Sequence, residues 1–139
     1  MRVFLDANVL FSAGYRETGS VRIFFALAES RTCELISSRY AVDEARRNVL
    51  AKHPDRIQDL ESLVTQLSIC AEPSAETIAW AVAQKLPSKD APILAAAIDA
   101  RCNVLATGDR THFGRLYGQM LRGVAVLLPA EAIELLISG

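Results

Sequence analysis

Residues 2–6 read R-V-F-L-D, a short run of β-branched and aromatic side chains that ends in an acid. Such a run is typical of a buried parallel strand just before its loop. Similar apolar runs lie at 33–37, 67–71, 104–107 and 124–128, and helical patterns separate them. The alternation predicts an α/β fold whose central parallel sheet of about five strands is covered by helices on both faces.

The helical segments are predicted from apolar residues that recur three and four positions apart. They lie at about 19–30, 38–52, 54–67 and 75–85, followed by one helix from Asp90 and one from Pro129. Ser37 or Ser38 can cap the second of these helices, and Pro54 is a favourable first residue for the third. The second and third helices are expected to form an antiparallel pair.

Composition bounds the class of protein. The chain has 139 residues, of which 51% are hydrophobic, and this predicts a single domain over residues 1–139 with one buried core. Cys33, Cys70 and Cys102 are too far apart for a C-x-x-C zinc site, and we expect reduced thiols. The start M-R-V-F-L-D has no signal-peptide pattern and no apolar run approaches ~20 residues, so a cytoplasmic protein without a membrane partner is expected.

The formal net charge of −1 argues at first against a nucleic-acid ligand, because phosphate backbones favour basic proteins. The balance changes if some acids are gathered in one site. Setting aside four of the 16 acids leaves the 15 basic residues in excess by about three charges. Weak electrostatic attraction of a phosphate backbone is therefore compatible with the composition.

Two acids follow predicted strands. Asp6 ends the first strand, and Asp109 follows the strand at 104–107 after Gly108. Ligands of parallel α/β sheets gather beyond the carboxyl ends of the strands, so these two side chains are candidates for one site. The alternative is that each is a loop residue or a helix cap. Asn8 lies two positions after Asp6 in an otherwise apolar run, where it could orient the carboxylate.

Two further acids lie on predicted helices. Asp90 precedes Ile93 and Leu94 by three and four positions, which places it along the buried face, although it could also be a helix cap. Glu44 follows Ala41 by three positions on its helix, and a solvent-exposed glutamate is the alternative there.

These segments together resemble the PIN-domain nucleases over nearly the whole chain. The opening L-D-A-N-V-L-F-S-A is similar to that family's first strand, and K-D-A-P-I-L-A-A-A-I is similar to the segment of its third acid, Asp90. The stretch L-A-T-G-D-R-T-H-F resembles its last motif, with Thr107 and Asp109. The segment D-E-A-R-R-N-V-L matches the place of the second acid at Glu44, where a larger apolar residue more usually follows the acid. This departure leaves Asp43 as the alternative, although helical phase favours Glu44.

The resemblance implies a three-layer, Rossmann-like fold and a divalent-metal site that hydrolyses RNA phosphodiester bonds. Single-domain relatives of this length include toxins of toxin–antitoxin pairs, so an antitoxin protein and a homodimer are the expected partners. Asp6, Asp90 and Asp109 would hold Mg²⁺ or Mn²⁺, which prefer oxygen ligands, and Glu44 would position the attacking water or a second ion. Asn8 and Thr107 would orient those ligands from behind. Lys89, Arg110 and His112 are candidates for phosphate contact, with a solvated surface position as the alternative for each.

Three other functions fit the sequence less well. A zinc centre is disfavoured because the chain has two histidines, His53 and His112, and no thiolate cluster. A phosphatase of the haloacid dehalogenase type would need a second acid where Asn8 stands, since an amide cannot serve as a general acid. A catalytically weak PIN-like module that binds RNA or a partner protein is the remaining alternative, and the presence of all four acids favours the enzyme.

Overall fold

The computed structural model describes residues 1–16 and 19–139. Its strands are β1 (Arg2–Leu5), β2 (Glu34–Ser37), β3 (Ser68–Ile69), β4 (Val104–Ala106), β5 (Met120–Leu121) and β6 (Val124–Leu127). Its α-helices are α1 (Ala7–Tyr15), α2 (Ile23–Glu29), α3 (Arg39–Lys52), α4 (Ile57–Val64), α5 (Ala75–Ala83), α6 (Ala91–Asp99), α7 (Arg110–Phe113) and α8 (Pro129–Ser138). Short 3₁₀ turns lie at Ser20–Arg22, Pro54–Arg56 and Gly114–Leu116.

The strands form one six-stranded sheet in the order β3-β2-β1-β4-β6-β5. All neighbouring strands are parallel except β5 and β6, which pair antiparallel at the edge. The predicted parallel α/β sheet is therefore confirmed, with one added edge strand. That strand was not predicted because it has two residues, and it turns back through Arg122 and Gly123, whose φ values of 49° and 88° suit a tight hairpin.

Alternate residues of β1 point to opposite faces of the sheet, as a strand requires. Val3 and Leu5 pack with apolar residues of α1, α2, α3, α4 and α8, whereas Phe4 packs with those of α5 and α6. Each face of the sheet thus has its own layer of helices, and this confirms the predicted three-layer architecture. Among the described residues, the helices are too short or too polar to cross a bilayer.

Helix α1 was not predicted from the sequence. It begins directly after Asp6 and packs against both α3 and α4, which also touch each other. The approach to α4 is close, because a Cβ atom added at Gly14 would lie 3.1 Å from the Cβ of Leu60. Helices α3 and α4 thus pack together with a third helix, α1. No helical periodicity could be recognised in α1 because most of its residues are apolar.

The other predicted elements agree with the structure to within a few residues. Ser38 caps α3 by accepting a hydrogen bond from the amide of Ala41, and Pro54 begins the turn that leads into α4. The three cysteines, all within the described ranges, are free thiols, as predicted. Cys33 and Cys102 are buried, whereas Cys70 is half-buried.

Candidate active site

Asp6 lies at the carboxyl end of β1 and is 5% exposed. Its Oδ1 accepts a hydrogen bond from the amide of Ala7 at 2.7 Å, so the same carboxylate caps α1. Burial raises the pKa of Asp6 to about 6, against the lowering effect of hydrogen bonds from Thr107 and Ala7. The negative charges of Glu44 and Asp90 raise the pKa further. Asp6 is thus a helix cap and also a buried acid whose ionised form is destabilised.

A polar network holds Asp6 against the loop that follows β4. Thr107 donates its hydroxyl to Asp6 Oδ2 at 2.7 Å, and Asn8 donates from Nδ2 to the same oxygen at 3.3 Å. Asn8 Oδ1 accepts from the amide of Gly108 at 2.8 Å. The amide of Asp109 in turn donates to the Thr107 hydroxyl at 3.2 Å. Asn8 and Thr107 therefore link Asp6 to the loop that carries Gly108 and Asp109.

Asp90, Asp109 and His112 form the tightest cluster of possible metal ligands in the described chain, with one ligand atom of each lying within 4.8 Å of the others. The Nδ1 atom of His112 lies 2.8 Å from Asp109 Oδ2 and 2.9 Å from Asp90 Oδ2. Asp109 also caps α7, because its Oδ1 accepts hydrogen bonds from the amides of Thr111 and His112. Hydrogen bonds thus orient this carboxylate through both of its oxygens.

Asp90 immediately precedes α6, but its side chain makes no capping hydrogen bond within the described chain. Asp90 is nevertheless the N-cap residue of α6, where its charge can complement the helix dipole, so the helix-cap alternative stays open. The residue is 9% exposed, and its buried Oδ2 has no hydrogen-bond partner among the described residues. The Nδ1 atom of His112 lies 2.9 Å from this oxygen and forms an ion pair with it when the ring is protonated. Apart from this shared histidine, the oxygen lacks the hydrogen bonds that normally offset burial.

The surroundings of Asp90 also change its acidity. Burial raises the pKa of Asp90, and the negative charges of Asp109 and Glu44 add to that rise. The neighbouring His112 and Lys89 act in the opposite direction but do not cancel it. The carboxylates of this cluster therefore repel one another, which is the electrostatic condition that a cation relieves.

Glu44 and Asp43 point in different directions from α3. Asp43 accepts a hydrogen bond from Arg46 at 3.0 Å, and Arg46 also binds Glu61. The charge of Glu44, by contrast, raises the pKa values of Asp6 and Asp90. Helical phase thus places Glu44 on the acidic side. Neither Glu44 nor Asp6 belongs to the compact 4.8 Å group among the described residues. The four acids, which we call the acidic cleft, therefore do not form one compact cluster.

The predicted phosphate-contacting residues separate into two kinds. Lys89 and Arg110 are exposed beside the cluster, whereas the ring of His112 lies between two carboxylates. Two tyrosines near the site were not predicted. Tyr117 donates its hydroxyl to the backbone oxygen of Thr107 at 2.7 Å, and Tyr40 donates to that of Lys89 at 2.8 Å. The spacing of Tyr40 four residues before Glu44 was the one signal in the sequence that could have revealed it.

Comparisons with known proteins identify the family of this chain. The sequence profile of the PIN domain matches residues 2–111, a span that includes all four acids. No curated protein sequence gives a significant match to the chain.

Three solved structures illustrate the shared fold. PAE2754 from Pyrobaculum aerophilum is 15% identical, with a TM-score of 0.70 over 100% of this chain and 97% of its own. VapBC2 from Rickettsia felis, solved with a DNA fragment from its promoter, is 18% identical. Its TM-score is 0.66 over 91% of this chain and 97% of its own. VapC20 from Mycobacterium tuberculosis, a sarcin–ricin loop cleaving toxin, is 12% identical with a TM-score of 0.56 over 81% and 94%. With its sequence match over most of the chain and its shared fold, the chain belongs to the PIN domain family.

Proposed function

We propose that this chain is a divalent-metal-dependent endoribonuclease that hydrolyses RNA phosphodiester bonds. The observation that carries the proposal is the cluster of Asp90, Asp109 and His112, in which His112 Nδ1 lies 2.8 Å from Asp109 Oδ2 and 2.9 Å from Asp90 Oδ2. The PIN domain is a nuclease family, and a fold shared with a sarcin–ricin loop cleaving toxin supports RNA as the substrate.

The residues of the cleft fit Mg²⁺ or Mn²⁺. Both ions prefer carboxylate oxygens together with water, and the cleft offers Asp90 and Asp109 directly, with Asp6 and Glu44 at its border. Among the described residues, Asp90 Oδ2 has no polar partner to offset its burial except His112, which it shares with Asp109. His112 adds one nitrogen, which Mn²⁺ tolerates better than Mg²⁺. We therefore assign Asp90 and Asp109 as the central ligands, and Asp6 and Glu44 as ligands that act directly or through water.

The protein groups have separate tasks in hydrolysis. A bound divalent ion supplies an activated water and neutralises charge on the phosphate. Glu44, whose carboxylate lies at the cleft border, is placed to accept a proton from the attacking water. Thr107 and Asn8 hold Asp6 in one orientation through hydrogen bonds of 2.7 and 3.3 Å. Lys89 and Arg110 are exposed beside the acids and attract the flanking phosphates.

The partner proteins are part of the same proposal. The fold is shared with VapBC2 of Rickettsia felis and with VapC20, which is described as a toxin. We propose that this chain is the toxin of a toxin–antitoxin pair, acts in the cytoplasm as a single domain over residues 1–139, and forms a homodimer. Light scattering at high protein concentration that detects only monomer would contradict the dimer.

Cleavage of a labelled single-stranded RNA tests the activity. The wild-type protein should cut it in Mn²⁺ or Mg²⁺ and stop in excess EDTA, and Asp90→Asn and Asp109→Asn should each abolish turnover. Asp43→Asn is the matched control, because it removes a carboxylate on α3 that pairs with Arg46 instead of facing the cleft. RNA binding without cleavage under all metal conditions would favour the non-catalytic module. Equal cleavage in EDTA would exclude the metal mechanism.

A further inference from the structure

A small cavity lies beside the acids at the same edge of the sheet. Its walls include Ser38, which follows β2, and residues 70–73, which follow β3. The carboxyl ends of parallel strands share one edge, so these segments lie along the same rim as Asp6 and Asp109. The cavity has a volume of about 170 Å³, which is smaller than the sites that hold whole drug-sized ligands. It can take one flat group but not a folded segment of chain.

The lining is mainly apolar, with polar groups at its border. Pro73, Ile78 and Pro92 supply aliphatic walls, and Tyr40 supplies an aromatic one. Arg39 and Glu72 are exposed and offer a donor and an acceptor. An apolar slot with one aromatic wall and polar groups at the border suits a heteroaromatic ring that has hydrogen-bonding edges.

Tyr40 connects the cavity to the acids. It precedes Glu44 by one helical turn on α3, and it is 38% exposed. Its hydroxyl donates to the backbone oxygen of Lys89, the residue before Asp90, and this bond holds the ring in place. Burial raises the pKa of Tyr40, and the negative charges of Glu44 and Asp90 raise it further. On the other wall, Pro92 is two residues after Asp90.

We propose that this cavity is a base-binding subsite that receives one nucleobase of the RNA strand, next to the phosphate at the acids. The inference rests on the proposed ribonuclease function. Tyr40 would stack on the base, and the exposed Arg39 and Lys89 would hold the neighbouring phosphates. Arg39 adjoins Tyr40 in the chain, and Lys89 accepts the Tyr40 hydroxyl through its backbone oxygen. These two cations, and the lining residues Tyr40 and Pro92 that are close in sequence to Glu44 and Asp90, favour a nucleotide over a partner's apolar side chain. Insertion of a base next to the cut bond would make the enzyme selective for unpaired RNA.

Abasic substrates test the subsite. A labelled single-stranded RNA with a mapped cut is compared with copies that lack one base at successive positions. Wild-type protein in Mn²⁺ should lose about tenfold or more in kcat/KM when the missing base is one of those flanking the cut, which is the scale of a base-stacking contact. Missing bases several nucleotides away should change kcat/KM by less than about twofold.

Two variants that fill the cavity complete the experiment. Ile78→Trp blocks it from α5, and Cys70→Phe blocks it from the loop after β3, so the test survives if one of them fails to fold. On the intact RNA, the kcat/KM of each variant should be lower than that of wild type, by the same factor by which the missing base lowers the kcat/KM of wild type. On the abasic RNA, each variant should have the same kcat/KM as wild type. Val82→Trp is the matched control, since Val82 is on the same helix, 47% exposed and outside the cavity lining, and it should retain the wild-type profile.

The outcomes separate the subsite from the activity. Cleavage that is indifferent to every missing base would overturn the subsite and leave the ribonuclease intact. Equal losses from the abasic position in wild type and in both filled variants would place the recognised base elsewhere and also overturn it. If the filled variants cut RNA normally but lose a protein partner, the occupant is a side chain of that partner and the subsite is wrong. If no RNA is cut in Mn²⁺ at all, the proposed function itself fails, and the subsite fails with it.

Discussion

Replacing Asp6 by Asn should stabilise the protein when no metal is present. The pKa of Asp6 is raised from 3.8 to about 6, mainly by burial, and each pKa unit corresponds to about 1.36 kcal/mol. The folded state therefore binds this proton more tightly than the unfolded chain. Its contribution to stability is full below pH 3.8 and is lost as the pH rises through about 6. Above that pH, the ionised Asp6 costs the folded state about 3 kcal/mol.

The hydrogen bonds of Asp6 reduce the expected gain. Asparagine caps helices about as well as aspartate, so the bond from the amide of Ala7 can remain. Its other terminal atom is an NH₂ group, which cannot accept from Asn8 or from the Thr107 hydroxyl, and the two lost hydrogen bonds together cost about 2 kcal/mol. The net gain should be about 1 kcal/mol at pH 7.5. For a domain of this size this corresponds to a rise of about 3–4 °C in Tm.

Thermal unfolding in EDTA at pH 7.5 and at pH 4 measures the effect. Asp6→Asn should melt higher than wild type at pH 7.5, and the advantage should vanish at pH 4, where wild-type Asp6 holds its proton. Asp43→Asn, which removes an exposed carboxylate paired with Arg46, should stay within about 0.5 kcal/mol of wild type. An Asp6→Asn protein that melts below wild type at pH 7.5, or that differs equally at both pH values, would refute the electrostatic account of the cleft.

Further predictions concern the metal, the structural role of Asp99 and the role of Glu44. Mn²⁺ at one hundred times its Kd should stabilise wild type by about 2.7 kcal/mol in calorimetry, and Asp90→Asn should lose most of that gain. Binding titrations should show weaker Mn²⁺ affinity as the pH falls toward 5, because the raised pKa values of Asp6 and Asp90 mean that metal must displace protons. Asp99→Asn should leave RNA cleavage unchanged but lower stability by about 1 kcal/mol in urea unfolding, since Asp99 accepts the Thr77 hydroxyl at 2.7 Å and so ties α6 to α5. Glu44→Gln should lower kcat for RNA by about a hundredfold while RNA binding is retained, and an unchanged kcat would remove Glu44 from the mechanism.

The sequence by itself determined the α/β architecture and the candidate acids. The run at 2–6 and the later apolar runs predicted β1, β2, β4 and β6 because a buried strand is recognisable from its own residues. Helical phase also favoured Glu44 over Asp43, since the direction of a side chain on a regular helix follows from position alone. These are local properties, and no knowledge of distant contacts was needed to predict them.

Tertiary structure decided the features that depend on distant neighbours. Helix α1 is nearly continuous in apolar residues because it packs against both α3 and α4, and a helix buried in this way loses its polar face. His112 enters the acidic cluster because Asp109 caps α7 and thereby turns the histidine ring toward Asp90. The Asp90 carboxylate lies beside His112 and makes no hydrogen bond to the first turn of α6, which the sequence around Asp90 did not predict. Such contacts join residues that are far apart in the chain, so local sequence patterns cannot predict them. They form only when the sheet brings its strand ends together.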